Sequence, residues 1–335
     1  MSAPFEFAGI PSLLEQFRNP LMHYAPAFLN FIARTLKGAE VAYLTSEHQG
    51  GNGYLPLAVT RHAEYGSVVN SLPFFGSHGG PFANTPAVKS ELLCQFSDIA
   101  RAHGVVSATL IENPFDPIDG ELMARLDFKC VDERIGQFTS LPAFDEDLET
   151  RLFERFHVKT RNAIRKGMKL GQAVENREDS SAWCWIHGVH SESIAGMGGV
   201  PKAMAVFDAL RESFGDAVKL YVGRVDETLI SGVVVIRYRE TVEYFTPVVE
   251  PTHRDTQALS ALIFEVMCRE ARAGARLWNW GGTWRSQEGV YRFKSRWGAE
   301  DRLYRYFNRI DDLTLRDLPR ERLAAAFPYF YLYRY

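Results

Sequence analysis

The fold of this chain is indicated by WNWGG at residues 278–282, followed shortly by YRFKSRWG at residues 291–298. The first stretch has the pattern of an aromatic strand that passes into two glycines. Glycine at such a point lets the backbone come close to a ligand. The second stretch places cations between aromatic rings, which a strand that only fills a core would not need. Together they predict a site for an acidic, partly planar ligand.

Hydrophobic periodicity around these stretches predicts a similar order of elements in two halves of the chain. The first half is predicted to hold helices over 20–36, 88–103 and 118–126, and strands over 41–45, 54–60, 65–70, 105–111 and 131–139. The second half is predicted to hold helices over 146–171, 180–195, 202–214 and from Asp255, as a cap, to Gly274, and strands over 218–225, 229–238, 241–248, 276–280 and 302–310. Hairpin strands, a helix and a further strand in each half form a mixed α/β pattern. We place the boundary near residue 145.

Composition limits the classes of function. The chain has 335 residues, which is enough for two domains, and a formal net charge of −3. This charge disfavours general nucleic-acid binding but allows local basic patches. The four scattered cysteines have neither metal-site nor redox spacing, so we expect free thiols, a reducing compartment and no metal. We find no signal peptide, and the apolar run 230–236 is too short to cross a bilayer, so a cytoplasmic protein without a transmembrane segment is expected.

Five cations crowd the segment 159–169, which contains no acid: Lys159, Arg161, Arg165, Lys166 and Lys169. One interpretation is a clamp for phosphate or pyrophosphate, since arginine matches pairs of phosphate oxygens. The alternative is a solvated basic helix that pairs with the acids of residues 146–154. Sequence alone favours the solvated helix.

Phe293 and Lys294 also allow two interpretations. The lysine could stabilise negative charge on a donor or a tetrahedral intermediate, with the ring packed beside it. It could equally be a strand-end lysine whose stem covers aromatic rings. Gly281 and Gly282, which directly follow a predicted strand, favour the first interpretation, because glycine there lets the backbone come close to a ligand.

Three further segments carry candidate residues. Arg254 lies at the predicted start of the helix after Pro251, where free N–H groups can bind an anion. His78 lies in the glycine-rich loop 72–81, which could close over a substrate or simply connect two elements. Glu112, at a strand end, is the candidate general base, because partial burial would raise its pKa. His253 and Glu243 are other candidates for that role.

In three segments the sequence resembles the FemAB-like transferases of the GNAT acyltransferase superfamily. The first match is Lys159-Thr160-Arg161-Asn162 with Lys166 and Gly171. The second is Trp278-Asn279-Trp280-Gly281-Gly282, then Gly289 and Phe293-Lys294 with Trp297-Gly298. The third is Gly76 with Gly79-Gly80-Pro81. The matches run in the family's order from about residue 53 to residue 307.

The resemblance implies an α/β (α+β) fold of two GNAT-like domains, each a mixed, mostly antiparallel sheet flanked by helices. The domains would span 1–145 and 146–310, with an acceptor cleft between them and the tail 311–335 returning to the first domain. Some family members are peptidyltransferases that use aminoacyl-tRNA, and others are N-acyltransferases that use acyl-CoA. Phe293 and Lys294 match the pair that the family associates with the donor and the transfer step.

The sequence departs from the family pattern at one position and over one short segment. Asn279 stands where the family usually has aspartate, so that carboxylate's role is absent. Residues 254–259 replace the glycines of the usual pyrophosphate turn, which would limit backbone access for CoA.

The sequence therefore predicts an N-acyltransferase that moves an acyl group from acyl-CoA, its co-substrate, to a primary amine of a nucleotide-linked amino sugar or another cell-envelope precursor. Lys294 and backbone N–H groups would stabilise the oxyanion, and Arg161 and Arg165 would hold phosphates. The alternatives are an aminoacyl-tRNA-dependent peptidyltransferase and a non-catalytic protein that binds envelope precursors. No DNA partner is expected.

Overall fold

The computed structural model describes residues 21–48, 50–73, 78–310, 315 and 317–332. Its strands are β1 (Glu40–His48), β2 (Gly51–His62), β3 (Gly66–Asn70), β4 (Phe82–Ala83), β5 (Val105–Ile111), β6 (Lys129–Ser140), β7 (Ala173–Arg177), β8 (Val218–Val225), β9 (Thr228–Tyr238), β10 (Thr241–Val249), β11 (Leu277–Thr283) and β12 (Glu300–Ile310). Its helices are α1 (Pro26–Thr35), α2 (Pro86–Ala100), α3 (Gly120–Arg125), α4 (Leu148–Glu154), α5 (Val158–Met168), α6 (Ser180–Gly196), α7 (Met204–Phe214), α8 (Ala258–Arg272), α9 (Glu288–Ser295) and α10 (Arg320–Ala326). Short 3₁₀ turns cover Met22–Tyr24, Gly215–Ala217 and Pro251–His253.

The chain divides into two compact units. Unit 1 contains Met1–Ile135 and Arg302–Tyr335, and unit 2 contains Gly136–Asp301. The division lies some residues before the boundary that we placed near residue 145. It also assigns residues 302–310, which we had placed in the second domain, to the first unit.

Unit 1 is built on a mostly antiparallel sheet. β1, β2 and β3 pair antiparallel in sequence order, and β4 pairs with β2. Helix α2 then carries the chain over to β5, which pairs parallel to β3, and β12 pairs antiparallel to β5. Thr85 caps α2 by accepting a hydrogen bond from the Val88 N–H at 3.3 Å. The core lies between α2 and this sheet.

Unit 2 repeats this plan. β7, β8, β9 and β10 pair antiparallel in sequence order, and α8 leads over to β11, which pairs parallel to β10. Apolar residues at helical spacing on α8 pack on the sheet, as the sequence predicts. The mixed, mostly antiparallel α/β fold expected for both halves is therefore confirmed.

The pairing of β10 with β11 is short. Its register covers three residue pairs and ends at Glu243 opposite Asn279, although both strands continue beyond that point. A bulge between Tyr244 and Thr246 interrupts the register of β10 with β9 directly afterwards. The two parallel strands thus stop pairing at a buried polar residue on each side.

Several predicted elements differ from the observed ones. The single helix expected over 146–171 is two helices, because His157 takes an extended conformation and caps α5 through its Nδ1, which accepts from the Lys159 N–H at 3.1 Å. The aromatic and cationic stretch 291–298 begins in helix α9, so Lys294 is helical rather than at a strand end. β7 and α10 were not predicted. Asp255 does not cap α8, whose N-cap is Gln257.

The described part of the C-terminal tail packs on unit 1. The Asn70 amide donates to the Tyr331 carbonyl at 3.1 Å and accepts from the Tyr331 N–H at 2.7 Å. Thr109 donates to the same carbonyl at 3.0 Å. Among the helices that the structure describes, none combines the length and the apolar character that crossing a bilayer requires.

Candidate functional site

The candidate site is a cavity of about 390 Å³ in unit 2. Its lining residues are Lys159, Thr160, Ala163, Gln257, Ser260, Gly289, Arg292, Phe293, Arg296 and Trp297. They come from α5, from the start of α8 and from α9 with the residues that follow it. Three of them are cations, and the described lining residues include no carboxylate. A cavity with these walls suits an anionic ligand.

Helix α5 turns only part of its positive charge toward this cavity. Thr160, Ile164 and Gly167 form its buried face, and Lys159 lies beside that face on the cavity side. Helical periodicity places Arg161 and Arg165 on the opposite side of the helix. The Arg165 guanidinium stacks 4.9 Å from the centre of the Phe153 ring. The predicted phosphate ligands are therefore divided: Lys159 lines the cavity, and the two arginines do not.

The cations of α5 do not form the ion pairs that the solvated-helix interpretation required. Glu149 pairs with Arg272, and Asp145 pairs with Arg151. Within the described ranges, no carboxylate pairs with Lys159, Lys166 or Lys169. Their positive charge is left for solvent or for a ligand.

The start of α8 closes another side of the cavity. Gln257 has a left-handed conformation, with φ of 66°, and its carbonyl accepts from the Ser260 N–H at 3.0 Å. Gly167 of α5 packs directly on this turn, because a Cβ at Gly167 would overlap the Gln257 carbonyl oxygen. The first turn of α8 is thus partly satisfied within the chain. The cations that line the cavity come from the other elements, α5 and α9 with the residues that follow it.

The two neighbouring candidates, His253 and Arg254, lie in the connection before α8. His253 is half-buried, and its Nδ1 lies 3.1 Å from the Thr252 hydroxyl. Arg254 is exposed. Neither is among the residues that line the cavity.

Lys294 does not reach the cavity either. Its buried ammonium donates to the carbonyls of Gly281 at 3.3 Å and Gly282 at 3.2 Å and to the Thr283 hydroxyl at 2.7 Å. An ammonium has three N–H donors, so this arrangement uses all of them. Burial lowers the pKa of Lys294 to about 8, and the nearby carboxyl of Glu243 opposes that shift. In this conformation Lys294 fixes the end of β11.

Phe293, unlike Lys294, lies at the cavity. It is partly exposed, lines the cavity and packs against Trp280 and Trp297, with ring centres 5.9 Å and 6.2 Å away. Phe293 and Lys294 therefore point in different directions. The ring of Phe293 lines the cavity, whereas the ammonium of Lys294 binds backbone carbonyls.

A second polar group lies where β10 and β11 stop pairing. The Asn279 amide donates to Glu243 Oε2 at 2.7 Å and accepts from the Gly281 N–H at 2.8 Å. Gly281 has φ of 75°, a conformation that glycine adopts without strain. The predicted glycine is therefore needed for the turn that brings its N–H to Asn279.

Glu243, which the sequence indicates as a further candidate for the general base, is buried on β10 and is not among the residues that line the cavity. Burial raises its pKa to about 8, whereas the Asn279 hydrogen bond and the positive charge of Lys294 act in the opposite direction. A carboxyl with such a pKa exchanges a proton near neutral pH, as a general base must. The available signal was an acid within the mostly apolar and aromatic stretch 242–248.

Glu112 has a different environment from the one expected of a general base. Its carboxylate accepts from the Arg305 side chain at 2.6 Å and 3.0 Å, and from the N–H groups of Ile118 and Arg305 at 2.7 Å and 2.8 Å. This is a buried, bidentate ion pair within unit 1. It favours a structural role for Glu112.

His78 is also a residue of the unit 1 interior. Its ring is fully buried between His23 and Tyr304, with ring centres 5.2 Å and 4.6 Å away. Gly76 and the rest of 74–77 lie outside the described residues, so the predicted closing loop is described only at its two ends. No group of three metal-ligating side chains occurs within the described ranges.

Comparison with known proteins gives a consistent result. Residues 156–295 match the family described as the acetyltransferase (GNAT) domain. Among solved structures, FemX is 12% identical with a TM-score of 0.71, covering 91% of this chain and 96% of FemX. L-PGS from Bacillus licheniformis is 12% identical with a TM-score of 0.55, covering 95% and 94%. The C-terminal domain of a putative lysylphosphatidylglycerol synthetase from Agrobacterium fabrum is 14% identical with a TM-score of 0.55, covering 89% of each chain. At these identities the likeness concerns the fold. No curated protein matches the sequence.

Proposed function

We propose that this chain is an N-acyltransferase that acts on a cell-envelope precursor, supported by the match of residues 156–295 to the acetyltransferase (GNAT) domain and by the fold that it shares with FemX. The acyl donor is an acyl thioester of CoA, and the acceptor is a primary amine, for which a nucleotide-linked amino sugar is the preferred class. The observation that carries the proposal is the cation-lined cavity within the matched domain. Acyl-CoA has phosphates that such a wall would bind.

The cavity supports binding of the donor. Lys159, Arg292 and Arg296 provide positive charge from two elements, and Phe293 provides a partly exposed ring against which a planar group can stack. Backbone donors of the usual glycine turn are replaced by Gln257 and its neighbours. Phosphate binding in this chain therefore depends mainly on side-chain charge.

Glu243 supports the chemical step. The amine attacks the thioester carbonyl, the C–N bond forms and the C–S bond breaks, and the sulfur leaves as a thiolate. The attacking nitrogen must lose a proton, and Glu243 is the carboxylate that we assign to receive it, through water because Glu243 is buried and does not line the cavity. Direct transfer depends on positioning, so no covalent enzyme intermediate is needed.

Lys294, Gly281 and Gly282 support the site indirectly. Lys294 belongs to α9, the helix that also carries Arg292 and Phe293, and it binds the end of β11 close to Asn279. Lys294 thus links α9, which forms part of the cavity wall, to β11, which carries Asn279, the hydrogen-bond partner of Glu243. We propose that backbone N–H groups stabilise the oxyanion and that Lys294 orients the site.

Aminoacyl-tRNA remains the second candidate donor. The specific observation in its favour is the set of cations on α5 without acidic partners, which extends beyond the cavity to Lys166 and Lys169. Neighbours of the same fold named for lysylphosphatidylglycerol synthesis also support an envelope substrate with either donor. Binding to tRNA would weaken steeply with salt, because phosphate contacts release counterions.

The test is a mass-spectrometric screen of the purified protein. A panel of acyl-CoAs is combined with UDP- and dTDP-linked amino sugars, and aminoacyl-tRNA is tested in parallel at low and high salt. The proposal expects an acylated amino sugar with an acyl-CoA and a loss of product in Arg296→Gln. Product with aminoacyl-tRNA alone would assign the second donor. Ligand binding without turnover by any donor would support the non-catalytic alternative.

A further inference from the structure

The strongest unassigned feature is the orientation of the Asn279 side chain. Asn279 is fully buried and makes one hydrogen bond with each end of its amide. The Gly281 N–H can only donate, so the group that faces it must be Oδ1. The amide NH₂ must then face Glu243. The backbone turn at Gly281 therefore determines what Asn279 offers to the carboxyl.

This orientation makes the two oxygens of Glu243 unequal. Oε2 receives the Asn279 N–H at 2.7 Å and acts as an acceptor in either protonation state. A proton on a neutral Glu243 is accordingly carried by Oε1. The charged group that faces Glu243 from another element is Lys294 of α9, and the partner from β11 is the uncharged Asn279.

We propose that Asn279 is a positioning residue that keeps Oε2 of Glu243 as an acceptor and leaves Oε1 as the atom that gains and loses the proton. The use of that atom in acyl transfer rests on the proposed function, whereas the arrangement itself does not. The pair β10–β11 thus holds one carboxyl, on β10. An aspartate at position 279 would put two carboxyls within hydrogen-bond distance, and they would have to share a proton.

The experiment compares thermal unfolding from pH 5 to pH 9.5 for the wild type, Asn279→Asp, Glu243→Gln and the double variant Glu243→Gln/Asn279→Asp. Asn279→Asp is expected to lose stability more steeply than the wild type as pH rises. The loss should continue above pH 8, because the second of the two neighbouring carboxyls ionises only after the first one is already charged. In the double variant, the introduced aspartate accepts from both the Gly281 N–H and the side-chain amide of the introduced glutamine. The stability of the double variant should therefore recover at high pH to above that of Asn279→Asp.

Asn279→Ala is the matched control, since it removes both hydrogen bonds without adding a charge. Because the lost hydrogen bond favours ionised Glu243, the stability of Asn279→Ala should fall with rising pH somewhat more than that of the wild type, but less than that of Asn279→Asp. Equal curves for Asn279→Asp and the wild type would overturn the proposal, and so would a double variant that shows no recovery or does not fold. None of these measurements needs a substrate. A positive result without turnover would reject only the proposed function.

Discussion

The ammonium of Lys294 on α9 lies 2.7 Å from the hydroxyl of Thr283 at the end of β11. Together with the carbonyls of Gly281 and Gly282, this contact uses every donor of a buried lysine. The cation therefore holds in place the turn that provides the Gly281 N–H to Asn279. Disturbing it should affect stability before it affects chemistry.

Lys294→Met should destabilise the protein by about 2–3 kcal/mol, since it removes a buried ammonium that donates to two backbone carbonyls and to the Thr283 hydroxyl. Urea unfolding measures this loss. Lys169→Met, which removes an exposed lysine that follows α5, is the control and should change stability little. A Lys294→Met variant with unchanged stability and lost turnover would instead place the ammonium at the reacting atoms.

Lys159→Gln and Arg296→Gln should each weaken binding of a phosphate-bearing donor about tenfold, because each removes one charge from the cavity wall. Isothermal titration with acetyl-CoA at several salt concentrations measures the affinity and its salt dependence. Arg165→Gln is the matched control, since Arg165 lies on the other side of α5 over Phe153. If Arg165→Gln weakened binding as much as Lys159→Gln, the donor would not be confined to the cavity.

Glu243→Gln should raise stability at pH 8 and leave it unchanged near pH 4. The unfolded chain ionises Glu243 near its ordinary pKa, but the folded chain holds the proton until about pH 8. The wild type therefore loses stability as pH rises between these two values, and glutamine removes that loss. Differential scanning calorimetry across this range is the measurement. Turnover should fall about 100-fold in the same variant, and an unaltered rate would remove Glu243 from the mechanism.

Glu112→Gln should destabilise unit 1 by about 3–5 kcal/mol, because it leaves the Arg305 guanidinium beside a neutral partner in a buried site. Chemical denaturation of the variant tests this expectation. The control is Glu121→Gln, which affects an exposed pair with Arg125 and should have almost no effect. A pH-dependent loss of rate in Glu112→Gln at full stability would return it to the list of candidate bases.

Much of the fold follows from local sequence patterns. The spacing of apolar residues on α8 and the apolar run 230–236 on β9 predict these two elements to within a few residues, because the apolar positions mark what each element buries. The break between α4 and α5 was not predicted, since no proline or glycine marks it. It results from His157, whose N–H is held by the Arg296 carbonyl from a distant part of the sequence at 2.9 Å.

Part of the candidate site also follows from local sequence patterns. Phe293 and Lys159 were identified because aromatic and cationic residues are conspicuous, and both line the cavity. Lys294 is equally conspicuous, but only the folded chain brings three oxygens to its ammonium. Glu243 is marked in the sequence only as an acid within a mostly apolar stretch, because its raised pKa depends on how deeply β10 is covered.

Gly167 influences the width of the cavity, although it is not one of the residues that line it. Without a side chain at that position, the backbone of α5 rests directly on the turn at Gln257. A single methyl group there would act as a wedge, and the wall that carries Lys159 would have to shift away from the one that carries Ser260. The width of the opening therefore depends on a backbone contact at Gly167, which a substitution could change without altering the charge of the cavity.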